Sequence, residues 1–211
     1  MKVIYFEEIY KMILTNKIAK YTISFIRKNT SSSEDDLEKI SYGIKVIVSN
    51  FFKLVILFFT AHFLGILNYT ILAIVSFAIL RTFACGVHAN STIQCIIFNY
   101  LFFLGNVFLS INFPLSNNRI ILIFVTSFIL ICLYAPADTA ERPLISKNLR
   151  GFLKIFSIIA ASALFIISLL IDNSIYKSII IYSIFEEAIA ITPFLYKIFG
   201  KSYRNYSNIT L

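Results

Sequence analysis

From Val46 onward the chain alternates apolar runs of about 16 to 25 residues with short polar breaks. That length suits a helix crossing the hydrocarbon core of a bilayer. Six spans are predicted, at about 44–67, 69–84, 96–113, 119–136, 152–171 and 174–199. In lipid, each segment must satisfy its own backbone hydrogen bonds, so the spans are helices. The fold class is therefore an all-α, polytopic membrane protein. Pro114 and Pro136 fall at span ends, whereas Pro193 falls inside the last and predicts a kink there.

The pattern ahead of the spans differs. Within residues 1–28, Phe6, Ile9, Tyr10, Ile13 and Leu14 recur near helical spacing among Lys2, Lys11, Lys17, Lys20, Arg27 and Lys28. This predicts an amphipathic helix on the membrane surface, its cations near anionic headgroups. Glu7, Glu8 and Lys11 interrupt any apolar leader, so the N-terminus is expected to be retained. Ser33 is placed to cap a helix starting near Glu34. The whole chain, 1–211, reads as one integral membrane domain. Residues 1–39 form a cytoplasmic amphipathic segment, 40–199 the transmembrane bundle and 200–211 a cytoplasmic tail.

Composition agrees with this reading, since 58% of residues are hydrophobic and only 14% charged. A net charge of +8 would suggest nucleic acid in a soluble domain. Here the cations gather in loops, which is the signature of membrane orientation, and no nucleic-acid partner is expected. The first 39 residues carry seven Lys and Arg, the 137–154 loop four, and residues 197–211 three. The positive-inside rule assigns all three to the cytoplasm of a multi-pass cell-membrane protein. Six spans satisfy these assignments together and place the loop after the second span inside as well.

That loop holds the candidate chemistry. Arg81-Thr-Phe-Ala-Cys85-Gly-Val-His88-Ala-Asn-Ser-Thr-Ile-Gln-Cys95 contains one of two histidines and two of three cysteines. On one straight helix His88 and Cys95 would stand about 10.5 Å apart along the axis, so they meet only if the chain bends between them. Asn90, Ser91 and Thr92 supply the bend, and Asn90 or Ser91 could cap the third span. Cys95 would then lie in the first turns of a helix, where the dipole and a neighbouring imidazole favour thiolate. This predicts His88 as base and Cys95 as nucleophile. Two alternatives stay open: Cys95 as a packing residue with His88 solvated, and a metal site formed by Cys85, His88 and Cys95. The second supplies three soft ligands without paired Cys-x2-Cys spacing, and neither a metal nor another cofactor is expected. A small transporter and a non-catalytic scaffold are the other function classes.

Arg81, Gly86, His88-Ala89 and Cys95 together resemble the accessory gene regulator B (AgrB) family, membrane cysteine endopeptidases of Gram-positive quorum sensing. The resemblance continues through Tyr134-Ala-Pro-Ala-Asp-Thr139, Pro143 and Glu187-Ala188. It implies a thiol protease that removes the C-terminal tail of an AgrD-like propeptide. Cys95 would form an acyl-enzyme while His88 takes the proton, and a side chain of the peptide would then close a thiolactone or lactone ring. A homodimer in the lipid bilayer is also implied. The sequence departs from the family at Cys85, a second thiol three residues from His88, and in a 143–150 loop less basic than in some relatives.

Around this pair, Arg81 is expected to bind substrate or anchor the interface. Gln94 is a candidate oxyanion donor. Asp138 and Glu141 are candidates to orient His88. Glu186 and Glu187 are carboxylates deep in an apolar segment, with Lys53 and His62 as candidate partners, and a structural ion pair is expected there.

Overall fold

The computed structural model describes residue 17 and residues 19–28, 33–87, 89, 91–140 and 143–208. They fall into two compact units, residues 1–60 and 61–211. In the first, residues 19–28 are helical, while the earlier part of the expected amphipathic helix lies outside the described residues. Helix α1 spans Glu34–Phe63 and opens with Glu34, Asp35 and Asp36, where the helix dipole favours negative charge. Ser33 caps it as its sequence suggests, with Asp36 N donating to Ser33 Oγ at 3.2 Å. Arg27 and Glu34 form an exposed ion pair at 2.6 Å.

The second unit contains α2 (Leu67–Ala84), α3 (Thr92–Asn99), α4 (Gly105–Asn112), α5 (Asn117–Tyr134), α6 (Lys147–Leu170), α7 (Ser174–Ala190) and α8 (Pro193–Ile198). A π-helical turn, Tyr100–Leu104, joins α3 to α4, so the third span runs through one wide turn. No strand occurs among the described residues. Five segments are long and apolar enough to cross a membrane: Glu34–Phe63, Leu67–Ala84, Ile93–Asn112, Asn117–Tyr134 and Lys147–Leu170.

The last expected span takes a different form. Instead of kinking at Pro193, it stops at Ala190 and restarts as α8, with Pro193 in the first turn and Thr192 as N-cap. A proline lacks the N–H a continuing helix needs but costs nothing at a helix start, where that N–H has no partner anyway. The 17 residues of α7 extend about 26 Å.

Helix α7 is the centre of the bundle and packs against α2, α4, α5 and α6. Its sequence suits that place because small residues let neighbouring backbones approach closely. Ser178, Ser183, Ala188 and Ala190 are buried on α7, facing a bundle that also buries Ala73, Ser76, Ser127, Ser157, Ala160 and Ala161. Its polar groups are satisfied across helices: Ser183 Oγ donates to Ala73 O at 3.2 Å, and Leu115 N donates to Ser178 Oγ at 2.8 Å. The Asn106 amide on α4 reaches Ser183 Oγ at 3.0 Å and Glu186 Oε2 at 3.2 Å. Outward, the helices expose Ile79, Leu101, Phe108, Leu122, Ile129 and Ile166. In water such a surface would aggregate; against acyl chains it is the expected coat.

Candidate active site

The knot at the end of α2 is built from three distant stretches of chain. Helix α2 terminates because Cys85 adopts φ 63, with its N–H closing back on Arg81 O at 3.1 Å. Gly86 follows at φ 110, a conformation L side chains avoid. Gly86 N donates to Ala137 O at 2.8 Å and Ala137 N to Ala84 O at 2.9 Å, forming a short parallel bridge. Val87 N points to Ala190 O at 3.5 Å, at the end of α7.

Arg81 fastens this loop from the side. Its Nη1 pairs with Glu187 Oε2 at 3.3 Å, and its Nη2 donates to Val87 O. Glu187 is fully buried on α7 and its other oxygen, Oε1, has no hydrogen-bond partner among the described residues. Glu187 is therefore ion-paired, but its cation is Arg81 and not the Lys53 or His62 expected. A Cβ on Gly86 would collide with Arg81 Nη1, and would sit 3.2 Å from its Cζ and 3.3 Å from Ala190 O. Gly86→Ala is expected to lower stability by at least about 2 kcal/mol, because the left-handed backbone and the displaced guanidinium add. A thermal melt in detergent checks it; a melt equal to wild type would show that the arginine has another seat.

Cys95 lies on the other side of the loop. Ser91 caps α3 through a hydrogen bond from Gln94 N to Ser91 Oγ at 3.2 Å, and Cys95 N donates to Ser91 O at 3.0 Å. The cysteine is thus the fourth residue of a capped helix and is partly accessible. The Gln94 side chain is exposed beside it. His88 and Asn90 lie outside the described residues, as does Glu141. Cys85 is partly buried, with its sulfur 3.8 Å from Phe83 O.

Asp138 is buried, and among the described residues its carboxylate accepts from backbone amides. Oδ1 accepts from Asn205 N at 2.9 Å, and Oδ2 accepts from Tyr206 N at 2.8 Å and Leu144 N at 3.3 Å. Its carbonyl accepts from Tyr196 Oη at 2.7 Å. Asp138 thereby ties the 135–144 loop to the C-terminal segment. Tyr203 donates to Tyr134 O at 3.4 Å, and burial pushes its phenol up while Arg204 opposes the shift, so it remains a donor at neutral pH. Tyr196 and Asn106, both buried and bonded between elements, are structural residues that sequence reasoning passed over; a polar side chain inside an apolar run is the signal that marks them.

These bonds place the loop after α2, the loop after α5 and the C-terminal segment at one end of the bundle. Among the described residues no group of three His, Cys, Asp or Glu side chains is placed to hold a metal. The class so defined is a multi-pass, all-α membrane protein with a cysteine at the start of a capped helix beside a cross-braced polar loop.

Comparison with known proteins carries this to a family. The family model for accessory gene regulator B matches residues 15–191. An AgrB-like protein of Clostridium acetobutylicum is 31% identical over 196 residues, covering 93% of this chain and 94% of the relative. An AgrB-like protein of Listeria monocytogenes serovar 1/2a is 33% identical over 198 residues, 93% of this chain and 95% of the relative. The accessory gene regulator protein B of Staphylococcus intermedius is 27% identical over 182 residues, 86% and 95% of the two chains. No solved structure matches. The chain belongs to the accessory gene regulator B family, and that membership supports a role in the accessory gene regulator quorum-sensing system.

Proposed function

We propose that this protein is a membrane-embedded cysteine endopeptidase that cleaves the C-terminal tail from an AgrD-like propeptide and promotes its cyclisation. The observation that carries the reading is the setting of Cys95: partly accessible, in the first turns of a Ser91-capped helix, directly after the polar loop that Arg81 and Gly86 brace. His88 takes the Cys95 proton, and the thiolate attacks the scissile carbonyl. Backbone N–H groups at the start of α3 and the Gln94 side chain are the candidate donors to the resulting oxyanion. The C–N bond then breaks, the leaving amine takes the proton from His88, and a thioester links the peptide to Cys95. A cysteine or serine side chain within the peptide displaces Cys95 and closes the ring, conserving the acyl energy that hydrolysis would lose.

Arg81, Gly86 and Glu187 support this reaction by fixing the backbone next to His88, and Asp138 by holding the adjoining loop. The positive-inside count supports a cytoplasmic face for both termini and the catalytic loop, and the family resemblance implies a homodimer in the cell membrane. A transporter reading would need Glu187 to line a pathway; its ion pair with Arg81 favours a structural duty instead.

The decisive experiment traps the thioester. Wild-type protein in lipid vesicles is mixed with the propeptide, quenched in acid and digested for mass spectrometry. The expected result is the N-terminal part of the peptide attached to Cys95. Release of the tail without any adduct on Cys95, under conditions where a synthetic thioester survives the work-up, would remove the acyl-enzyme.

A further inference from the structure

We propose that the cavity between the start of α6 and the C-terminal segment binds the phosphate headgroup of an anionic phospholipid. The cavity has a volume of about 360 Å³ and lies where α5 ends at Tyr134 and α6 begins at Lys147. Four cations line it, Lys147, Arg150, Lys154 and Arg204, with Asp138 as the one carboxylate among the lining residues. The Asp138 oxygens face the amides of Leu144, Asn205 and Tyr206, so the carboxylate is directed at the loop backbone. No ion pair involves Lys147 or Lys154 among the described residues.

Arg150 is already set in position. Its Nη1 donates to Leu144 O at 2.6 Å and Ile145 O at 2.7 Å, and its guanidinium lies over the Tyr206 ring at 4.1 Å. Five N–H donors on a guanidinium leave others available to a phosphate once Nη1 is engaged. Lys147 and Lys154 are seven residues apart on α6, which places them on one face two turns apart. Like charges gathered round a cavity repel one another, and an anion that enters relieves the repulsion.

The apolar flank selects a lipid over a soluble anion. Leu133 lines the cavity and is itself exposed, and Ile129 is exposed one turn further along α5. Phe152 and Ile155 are exposed on α6 beside the cationic residues. A headgroup among the cations can therefore lay its acyl chains along an existing apolar surface, where a free phosphate or an acidic peptide has no such continuation. Basic pockets at the ends of membrane helices suit anionic headgroups in this way. The site does not rest on the peptidase reading.

Native mass spectrometry of the full-length protein in detergent tests it, with phosphatidylglycerol and phosphatidylcholine as probes. Wild type is expected to retain phosphatidylglycerol under conditions that strip phosphatidylcholine. The double variant Lys147→Gln/Lys154→Gln should bind phosphatidylglycerol about 30-fold more weakly, from about 1 kcal/mol for each cation near an anionic surface. The charge-matched variant Arg119→Gln/Lys177→Gln, altered at the other end of the bundle, should bind as wild type does. Arg204→Gln, on a separate segment, should show a smaller loss and reads the same cavity should the double variant not fold. Equal retention of the two lipids, or equal loss in the two double variants, would overturn the proposal. So would displacement of phosphatidylglycerol by equimolar hexaglutamate, which would make this a peptide site, or by inorganic phosphate, which would make it a free-anion site.

Discussion

Cys95→Ala and His88→Ala are each expected to reduce propeptide cleavage at least about a thousandfold, while Cys85→Ala stays within a few-fold of wild type. The prediction follows from where the two thiols lie. Both thiols are partly exposed, but Cys95 lies in the first turns of a capped helix, whereas Cys85 terminates α2 at φ 63, its backbone held by the bridge to Ala137. Nucleophile and base act as a unit, so the double variant Cys95→Ala/His88→Ala should be scarcely worse than either single one. The measurement is mass-spectrometric detection of the truncated peptide from vesicles carrying each variant. Cleavage that survives Cys95→Ala and disappears in Cys85→Ala would move the nucleophile upstream. Cleavage that survives every change would end the thiol-protease reading and bring a transporter forward.

Arg81→Ala is expected to destabilise the fold by about 3–5 kcal/mol, the usual consequence of leaving one member of a buried pair uncompensated. Glu187 is fully buried, and its second oxygen has no partner among the described residues, so Arg81 supplies its described stabilisation. The same arginine holds Val87 O, and losing it also frees the backbone beside His88. Glu187→Gln should cost less, because a neutral amide needs no counter-charge. The double variant Arg81→Ala/Glu187→Gln should accordingly be more stable than Arg81→Ala alone. Melting curves in detergent give the comparison, and a double variant no better than Arg81→Ala would show that the two side chains are not energetically coupled.

Much of the architecture is legible in the chain because lipid imposes a simple code. Apolar runs of spanning length mark the helices, and a polar stretch as dense as 81–95 stands out against them. The cap at Ser91 follows from local chemistry, since a hydroxyl ahead of an apolar run has an obvious use. Partnerships across the sequence are not legible. Arg81 and Glu187 are each conspicuous, yet 106 positions separate them and nothing in the spacing pairs them. Asp138 accepts from the amides of 144, 205 and 206, and backbone N–H groups have no signature in a sequence. Pro193 illustrates a third kind of loss. Kink and restart both satisfy a proline, and Thr192, able to cap the new start, decides for the restart.

The contact between Gly86 and Arg81 also has an evolutionary consequence. The guanidinium occupies the space a Cβ at residue 86 would need. The two positions therefore form one heritable character. A lineage that shortens the arginine removes that steric obstacle to a side chain at 86, whereas a lineage that first acquires the side chain loses the arginine's seat. Among relatives, substitutions at these positions should arrive together, with the change at 81 preceding the change at 86.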